Sequence, residues 1–183
     1  MKSKTKFVIL VLLLIFNIFC LFGISRLREE KLENAAWLHS GLIDQYKNYS
    51  HAFRAASTML GVSDSEFTAY MRGASDFALS DPLYNLYPEI CGNDPELAEI
   101  FQTGLPDALA GLSKCGLNEL TDADRGALSD ACGVIGDMLN GSNANSLAGC
   151  VQDGDYSSDS YIEAKRTITE NLQLIPRLIN EVQ

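Results

Sequence analysis

An uncharged apolar stretch near the N-terminus constrains this chain more than any other feature. Residues Phe7 to Ile24 hold no charged side chain and one strongly polar side chain, Asn17. In a helix, about 18–20 apolar residues cover most of the ~30 Å hydrocarbon core of a bilayer. The sequence therefore predicts a transmembrane segment over residues 7–24, with membrane lipid as its partner.

A cleaved signal peptide is the main alternative to this membrane segment. Its basic region would be Lys2, Lys4 and Lys6, but such peptides usually have a shorter apolar core that ends in a small-x-small cleavage site. Gly23-Ile24-Ser25 is the nearby candidate for cleavage. The length of the stretch and its direct continuation into helix-forming sequence favour an uncleaved signal-anchor. With cleavage, the protein would be secreted.

The basic residues on either side of the stretch set the expected orientation. Three lysines precede it and Arg26, Arg28 and Lys31 follow it, so the free amino group gives the N-terminal side a slight excess of positive charge. We expect the N-terminus to stay inside and the bulk of the chain to be translocated. The predicted order is a short cytoplasmic N-terminus (1–6), a transmembrane signal-anchor (7–24), a helical stalk (25–37) and an extracytoplasmic helical domain (38–183) at the cell envelope or in the periplasm.

Asn17 is a candidate oligomer contact within the membrane. A side-chain amide in lipid can bond to the same residue of a second helix, which favours a homo-oligomer by about 1 kcal/mol. The alternative is that the amide bonds to its own helix backbone or to a neighbouring carbonyl.

The charge of the chain limits the kinds of partner it can have. The net charge is −10, and all 24 acidic residues follow the apolar stretch. Such a negative field repels nucleic acid and anionic lipid headgroups. It is typical of a soluble surface, and it favours a protein partner that is cationic over one that is anionic.

Four cysteines follow the apolar stretch: Cys91, Cys115, Cys132 and Cys150. An even number in a translocated domain predicts two disulfides. Pairing Cys91 with Cys115 and Cys132 with Cys150 closes short loops, but the connectivity stays open. In a cytosolic domain the same cysteines would be reduced core residues. No Cys-x-x-Cys occurs, so neither a thiol redox motif nor a zinc knuckle is indicated.

Apolar spacing and helix boundaries predict an all-α fold. Apolar residues at steps of three and four run from Leu32 to Leu60, which predicts a long first helix that ends at Gly61. Ser63-Asp-Ser-Glu66 is a capping-box pattern for a second helix, which Asp81-Pro82 ends. Further predicted helices are Asp94 to Thr103, Asp107 to Lys114, Thr121 to Gly141 and Tyr161 to Val182.

Two segments of this predicted helical bundle carry strong helix-breaking signals. Pro176 removes one backbone hydrogen bond, which predicts a kink or a split in the last helix. Residues 141–160 are polar and glycine-rich, which predicts the longest loop. The expected fold is an N-terminal transmembrane helix that continues into a long helix, followed by a disulfide-bonded helical bundle.

No motif in the chain predicts catalysis, a metal site or a cofactor. His39 and His51 are twelve positions apart, which is too far for a metal pair on one helix. Gly-x-Ser-x-Gly is missing from the sequence. Asp153, Asp155, Ser157 and Asp159 alternate like a calcium loop, but the loop's glycine and its final glutamate are missing. We therefore predict that the protein is not an enzyme.

A membrane-anchored, acidic helical domain without a catalytic set is typical of a protein–protein interaction module. The sequence predicts such a module in the cell envelope, acting as an adaptor, inhibitor, immunity or assembly factor. One alternative is an envelope sensor that binds a small molecule between helices, near Trp37, Tyr46, Tyr49, Phe53 or Phe77. Another is a pilin-like structural subunit, although the usual processing site of pilins is missing.

Overall fold

The computed structural model divides the chain into two compact units, Met1–Ser40 and Gly41–Gln183. The residues described are 23–27, 40–61, 63–81, 83–87, 91, 94–142, 145–152 and 156–180. In the first unit, residues 23–27 are helical and exposed. Asn17, nearly all of the predicted membrane segment and most of the predicted stalk lie outside the described residues. Among the residues that are described, no helix combines the length and the apolar character that crossing a bilayer requires.

The second unit confirms the all-α prediction: its described residues form helices and turns, without a strand. The helices are α1 (residues 40–59), α2 (Asp64–Leu79), α3 (Pro95–Glu99), α4 (Leu105–Leu112), α5 (Asp122–Met138), α6 (Leu147–Gln152) and α7 (Asp159–Asn180). A π-helical segment, Ile100–Gly104, joins α3 to α4. Short 3-10 turns cover Tyr84–Leu86 and Leu117–Glu119.

Local capping explains where two of these helices begin. Asp94 precedes α3, and its carboxylate accepts a hydrogen bond from the Leu97 N–H at 3.0 Å, with Pro95 in the first helical turn. Thr121 precedes α5, and its hydroxyl oxygen accepts from the Asp124 N–H at 3.1 Å. Each cap satisfies a backbone donor that the helix itself leaves unpaired.

The predicted break between two short helices at Gly104 and Pro106 is wrong. The chain stays helical from Pro95 to Leu112, with Leu105 N–H donating to the Ile100 carbonyl five residues back. A proline lacks the N–H of a regular α-turn and its ring crowds the preceding turn, and the wider π turn accommodates both effects without ending the helix. This continuous run forms one wall of the candidate site.

Two further boundary predictions also need correction. Helix α7 runs unbroken from Asp159 to Asn180 with Pro176 inside it, so the predicted split does not occur. The polar segment 141–160 contains α6, whose Leu147 and Val151 are fully buried. Burial of these apolar side chains outweighs the low helix propensity of the glycine-rich flanks.

The predicted apolar stripe of the first helix is in the core. Its members from Leu42 onward are buried: Leu42, Tyr46, Tyr49, Phe53, Ala56 and Leu60. Phe101 of the π segment lies among three tyrosine rings, with centroid distances of 4.8 Å to Tyr46, 5.9 Å to Tyr49 and 5.1 Å to Tyr87. Aromatic contacts in this range therefore join α1 to the π segment.

Helix α5 contacts both α1 and α7, and its contact with α1 is a close backbone approach. The Ser50 hydroxyl donates to the Gly136 carbonyl at 2.6 Å. A Cβ on Gly136 would lie 2.6 Å from Arg54 Cγ and 3.0 Å from the Arg54 backbone nitrogen. About two turns away on each helix, the Ser57 and Ser129 hydroxyls lie 3.1 Å apart. Only a residue without a side chain fits at position 136.

The substitution Gly136→Ala tests this crossing. We expect it to lower the free energy of unfolding by about 1–3 kcal/mol, because the added methyl group forces the two helices apart. The measurement is urea unfolding followed by circular dichroism.

Gly73→Ala is the matched control, because nothing lies within 4 Å of a Cβ built on this glycine of α2. It should raise the free energy of unfolding by about 0.5–1 kcal/mol through helix propensity. Equal effects of the two substitutions would contradict the close crossing.

Candidate binding groove

A half-open groove lies between the continuous helical run from α3 to α4 and the last helix, α7. Its volume is about 490 Å³, within the range of roughly 300–1,000 Å³ that is common for ligand sites. The floor of the groove is apolar and is formed by Ile100, Gly104, Ala108, Gly111, Leu172, Ile175 and Ile179.

Small residues on the π-helical segment and on α4 make room for the side chains of α7. Gly104 and Gly111 lie on the face that meets α7, and a Cβ on Gly104 would lie 2.9 Å from Leu172 Cδ1. At Gly111 the corresponding distance, to Ile179 Cδ1, is 3.6 Å, which is ordinary contact. In this part of the floor, Leu172 and Ile179 of α7 therefore pack directly against Gly104 and Gly111 of the opposite wall.

The two rims of the groove differ in charge. The acidic rim is formed by Glu96, Glu99, Thr103 and Asp107, which are exposed and follow one helical stripe. The uncharged rim is formed by Gln173, Pro176 and Asn180 of α7. Among the described residues that line the groove, none is lysine or arginine. The groove therefore has an apolar floor and one negatively charged side.

Two polar groups at the groove lack their usual partners. Thr169 Oγ1 is buried and has no hydrogen-bond partner among the described residues. Pro176 has no N–H, so it cannot donate the α-helical hydrogen bond that the Leu172 carbonyl would otherwise accept. Both Thr169 and Leu172 line the groove.

A partly buried ion pair fixes the two walls at one end of the groove. Lys165 Nζ of α7 lies 2.7 Å from Asp94 Oδ2 and 2.9 Å from Glu96 Oε2. The Tyr161 hydroxyl donates to Asp94 Oδ2 at 2.6 Å. Lys165 is only 9% exposed. Lysines are rarely buried to this extent unless they are paired with an opposite charge. The same carboxylate that caps α3 therefore holds the start of α7 against it.

These contacts shift the pKa values of Asp94 and Lys165 so that the charged form of each side chain is favoured. Burial raises the pKa of Asp94, but hydrogen bonds from Lys165, Tyr161 and the Leu97 N–H outweigh it, so the pKa lies below its ordinary value. Burial lowers the pKa of Lys165, but hydrogen bonds to Asp94 and Glu96 outweigh it, so the pKa lies above its ordinary value. Both groups therefore stay charged over a wide pH range.

The substitution Lys165→Met tests this ion pair through its pH dependence. At neutral pH we expect a loss of about 1–3 kcal/mol of unfolding free energy, because Asp94 loses a charged donor. The loss should shrink as the pH falls from the ordinary carboxyl pKa of 3.8, where the unfolded chain takes up a proton, through the lower pKa that Asp94 has in the folded protein. It should also shrink as the pH rises above the ordinary lysine value of 10.5. Urea unfolding across this pH range measures the effect.

Arg166→Met is the control for this experiment, because Arg166 is exposed and pairs with the exposed Glu163. Exposed ion pairs contribute little to stability, so this variant should unfold nearly like the original protein. A Lys165→Met effect that stays constant from acidic to alkaline pH would show that packing, and not the ion pair, is lost.

The four cysteines lie in the core and not at the groove. Cys91, Cys115, Cys132 and Cys150 are all buried, and no disulfide joins any two of these four described cysteines. The predicted pairing of Cys91 with Cys115 and of Cys132 with Cys150 is therefore not supported.

The surroundings of the thiols differ from one cysteine to another. Burial, with a contribution from Asp94, raises the pKa of the Cys91 thiol to about 12. Burial also raises the pKa of Cys115, and the carboxylates that add to it are Asp64 and Glu119. Cys91 and Cys115 therefore face different charged groups. Burial alone raises the pKa of Cys132 to about 12, so these thiols are poor nucleophiles.

Of the other candidate residues that the sequence offers, those that the structure describes form no common site. Tyr46, Tyr49 and Phe53, candidates for a sensor pocket, are core residues with at most 1% exposure. Phe77 and the exposed His51 line a shallow cleft between α1 and α2. Trp37, His39, Asp153 and Asp155 lie outside the described residues. Among the residues that are described, no group of three or more His, Cys, Asp or Glu could hold a metal ion.

The sequence does not predict the groove, because Gly104 and Pro106 suggest a break where the helix in fact continues. The sequence nevertheless contains one pattern that indicates close helix packing. Gly104, Ala108 and Gly111 repeat at helical spacing, next to the acidic stripe of Glu99 and Asp107. Small residues on one helical face indicate that another helix approaches closely, although they do not identify that helix.

Comparison with known proteins does not assign the chain to a family. No protein-family model, no curated protein and no solved structure matches it. What the chain does is therefore inferred from its own residues and from the geometry of the groove.

Proposed function

We propose that this protein is a membrane-anchored, extracytoplasmic interaction module that binds a partner protein in the groove between α3–α4 and α7. It would act as an adaptor, inhibitor, immunity or assembly factor in the cell envelope. The observation that carries the proposal is the groove itself, which combines an apolar floor with an acidic rim. Binding sites are commonly concave and mostly apolar, with a few polar groups at defined positions, and the groove has these features.

The charges at the rim support binding over a purely structural role. Glu96 is already paired, because its Oε2 lies 2.9 Å from Lys165 Nζ. Glu99 and Asp107 form no ion pair with any described residue. Unpaired charges beside an apolar floor offer a partner both buried area and electrostatic complementarity.

The location is part of the proposal and is supported by the sequence of residues 7–24. The apolar length of this stretch suits a bilayer, and the charges around it favour translocation of the domain. We expect the protein to stay in the membrane fraction after alkaline carbonate extraction. We also expect protease added on the extracytoplasmic side to degrade the domain. Release by carbonate would favour the secreted form.

Two disulfides among Cys91, Cys115, Cys132 and Cys150 also belong to this proposal. Their support is the even number of cysteines and the oxidising compartment. Alkylation in denaturant, with and without reductant, counts the thiols by mass. We expect four additional labels after reduction. If all cysteines react without reductant, the disulfides are excluded and the four thiols are reduced core residues.

Site-specific photo-crosslinking in membranes tests the binding function. Benzoylphenylalanine is placed at Thr103 on the acidic rim or at Gln173 on the uncharged rim, and in control variants at Ala123 or Asp130 on α5. All four positions are exposed. We expect one crosslinked partner band from both groove positions and none from the α5 positions.

The charge reversal E99K/D107K sharpens this test, because it changes the rim and leaves the apolar floor intact. It should abolish the crosslink from Thr103 if the rim contributes to binding. Equal crosslinking from the groove and from α5, or none from the groove, would contradict the proposed function.

The volume of the groove also favours a second candidate, an envelope sensor for a small molecule. A site of about 490 Å³ could hold a drug-sized ligand. Such a ligand would raise the melting temperature of the purified protein in a thermal-shift screen without any crosslinked protein partner.

A further inference from the structure

We propose that the occupant of the groove is a short basic amphipathic helix, about three turns long, whose lysines or arginines face Glu99 and Asp107. This inference rests on the proposed function, because it specifies the partner segment for the same groove. It goes further by stating the conformation, the length, the charge and the orientation of that segment.

The dimensions of the groove set the length of the segment. Its α7 wall runs from Thr169 to Asn180, and at 1.5 Å per residue these eleven steps cover about 16 Å. A ligand helix of about 11–14 residues matches this wall. Amphipathic helices bind such grooves through apolar residues at positions i, i+3, i+4 and i+7, which span two turns and fit within this length.

The floor of the groove selects an apolar stripe on the ligand. Leu172 is the partly exposed aliphatic side chain of this floor, and Ile100 and Ile175 lie beneath it as buried core residues. On the opposite wall the Leu172 side chain already covers Gly104, with its Cδ1 2.9 Å from the position of a Cβ there, so a ligand meets Leu172 at this point. Aliphatic side chains on one face of the ligand helix would therefore be buried, which is the main source of affinity for this mode of binding.

The rims set the charge and the orientation of the ligand. Glu99 and Asp107 are eight positions apart on one helical run, which corresponds to about 12 Å. Two basic residues seven or eight positions apart on the ligand helix would reach both carboxylates. The opposite rim is uncharged, so the basic face of the ligand must turn toward the acidic rim. An acidic segment would be repelled there.

A synthetic peptide provides the direct test of this occupant. The probe is a fluorescein-labelled 14-residue helical peptide of leucine, alanine and lysine, with its leucines on one face and two flanking lysines seven positions apart. It is titrated with the full-length protein in detergent micelles, and binding is followed by fluorescence anisotropy. We expect saturable micromolar binding that weakens as salt is added.

Three comparisons make this experiment specific. E99K/D107K should weaken binding at least tenfold. D76K/D130K makes the same change in charge at exposed positions of α2 and α5, away from the groove, and should change binding less than twofold. A peptide of the same composition with its leucines scattered around the helix should bind at least tenfold more weakly.

The outcomes that overturn the inference are distinct from one another. No binding of the probe overturns it, and so does equal weakening by D76K/D130K, which would show attraction to net charge alone. Equal binding of the scattered peptide excludes the amphipathic helix. If sedimentation shows a dimer of this chain that E99K/D107K dissociates, the occupant is a second copy.

Two further readouts keep the test interpretable. Circular dichroism checks that E99K/D107K folds. The variant E99Q/D107N removes the two charges without reversing them and should weaken binding by a smaller factor.

The crosslink from Thr103 separates this inference from the proposed function. If a partner crosslinks but the basic peptide does not bind, the groove binds a protein of different chemistry. If neither result appears, both proposals fail.

Discussion

The carboxylate of Asp94 is the interaction on which the groove depends. One oxygen accepts from the Leu97 N–H and starts α3, and the other accepts from Tyr161 and Lys165 at the start of α7. A single side chain therefore begins one wall and positions the other against it. Because the bonds to the ionised carboxylate are charge-assisted, they are stronger than neutral hydrogen bonds, and they hold the end of the groove in a defined geometry.

The pattern of apolar residues predicted the helical class and the core face of the first helix. Tyr46, Tyr49 and Phe53 are buried where their spacing places them, because spacing by three and four residues directly reports a face of an α-helix. The caps at Asp94 and Thr121 depend on residues only three positions apart. The capping box predicted at Ser63 starts α2 at the expected place, but the Ser63 hydroxyl donates to the Glu66 carboxylate and does not cap the helix backbone. Local signals of this kind need no knowledge of the tertiary structure.

The predictions that failed are those in which tertiary packing outweighs a local signal. Pro106 and Pro176 suggest helix breaks, yet a π turn accommodates the first and the second lies inside a continuous helix. The composition of the glycine-rich segment gives no indication of α6, whose apolar residues are few but buried. The groove was not predictable for the same reason. Its charged stripe can be read from the sequence, but the sequence does not show which of the predicted helices packs opposite that stripe.

The contact between Ser50 and Gly136 joins residues that are 86 positions apart in the chain. Helix α1 therefore cannot complete its packing until synthesis has passed the end of α5. During translation the face of α1 that carries Ser50 and Ser57 stays without its α5 neighbour for several seconds at typical elongation rates of about 5–20 residues per second. Contacts of such long separation also slow folding. An early α1 whose packing surface is not yet covered is the state of this chain that a chaperone would recognise.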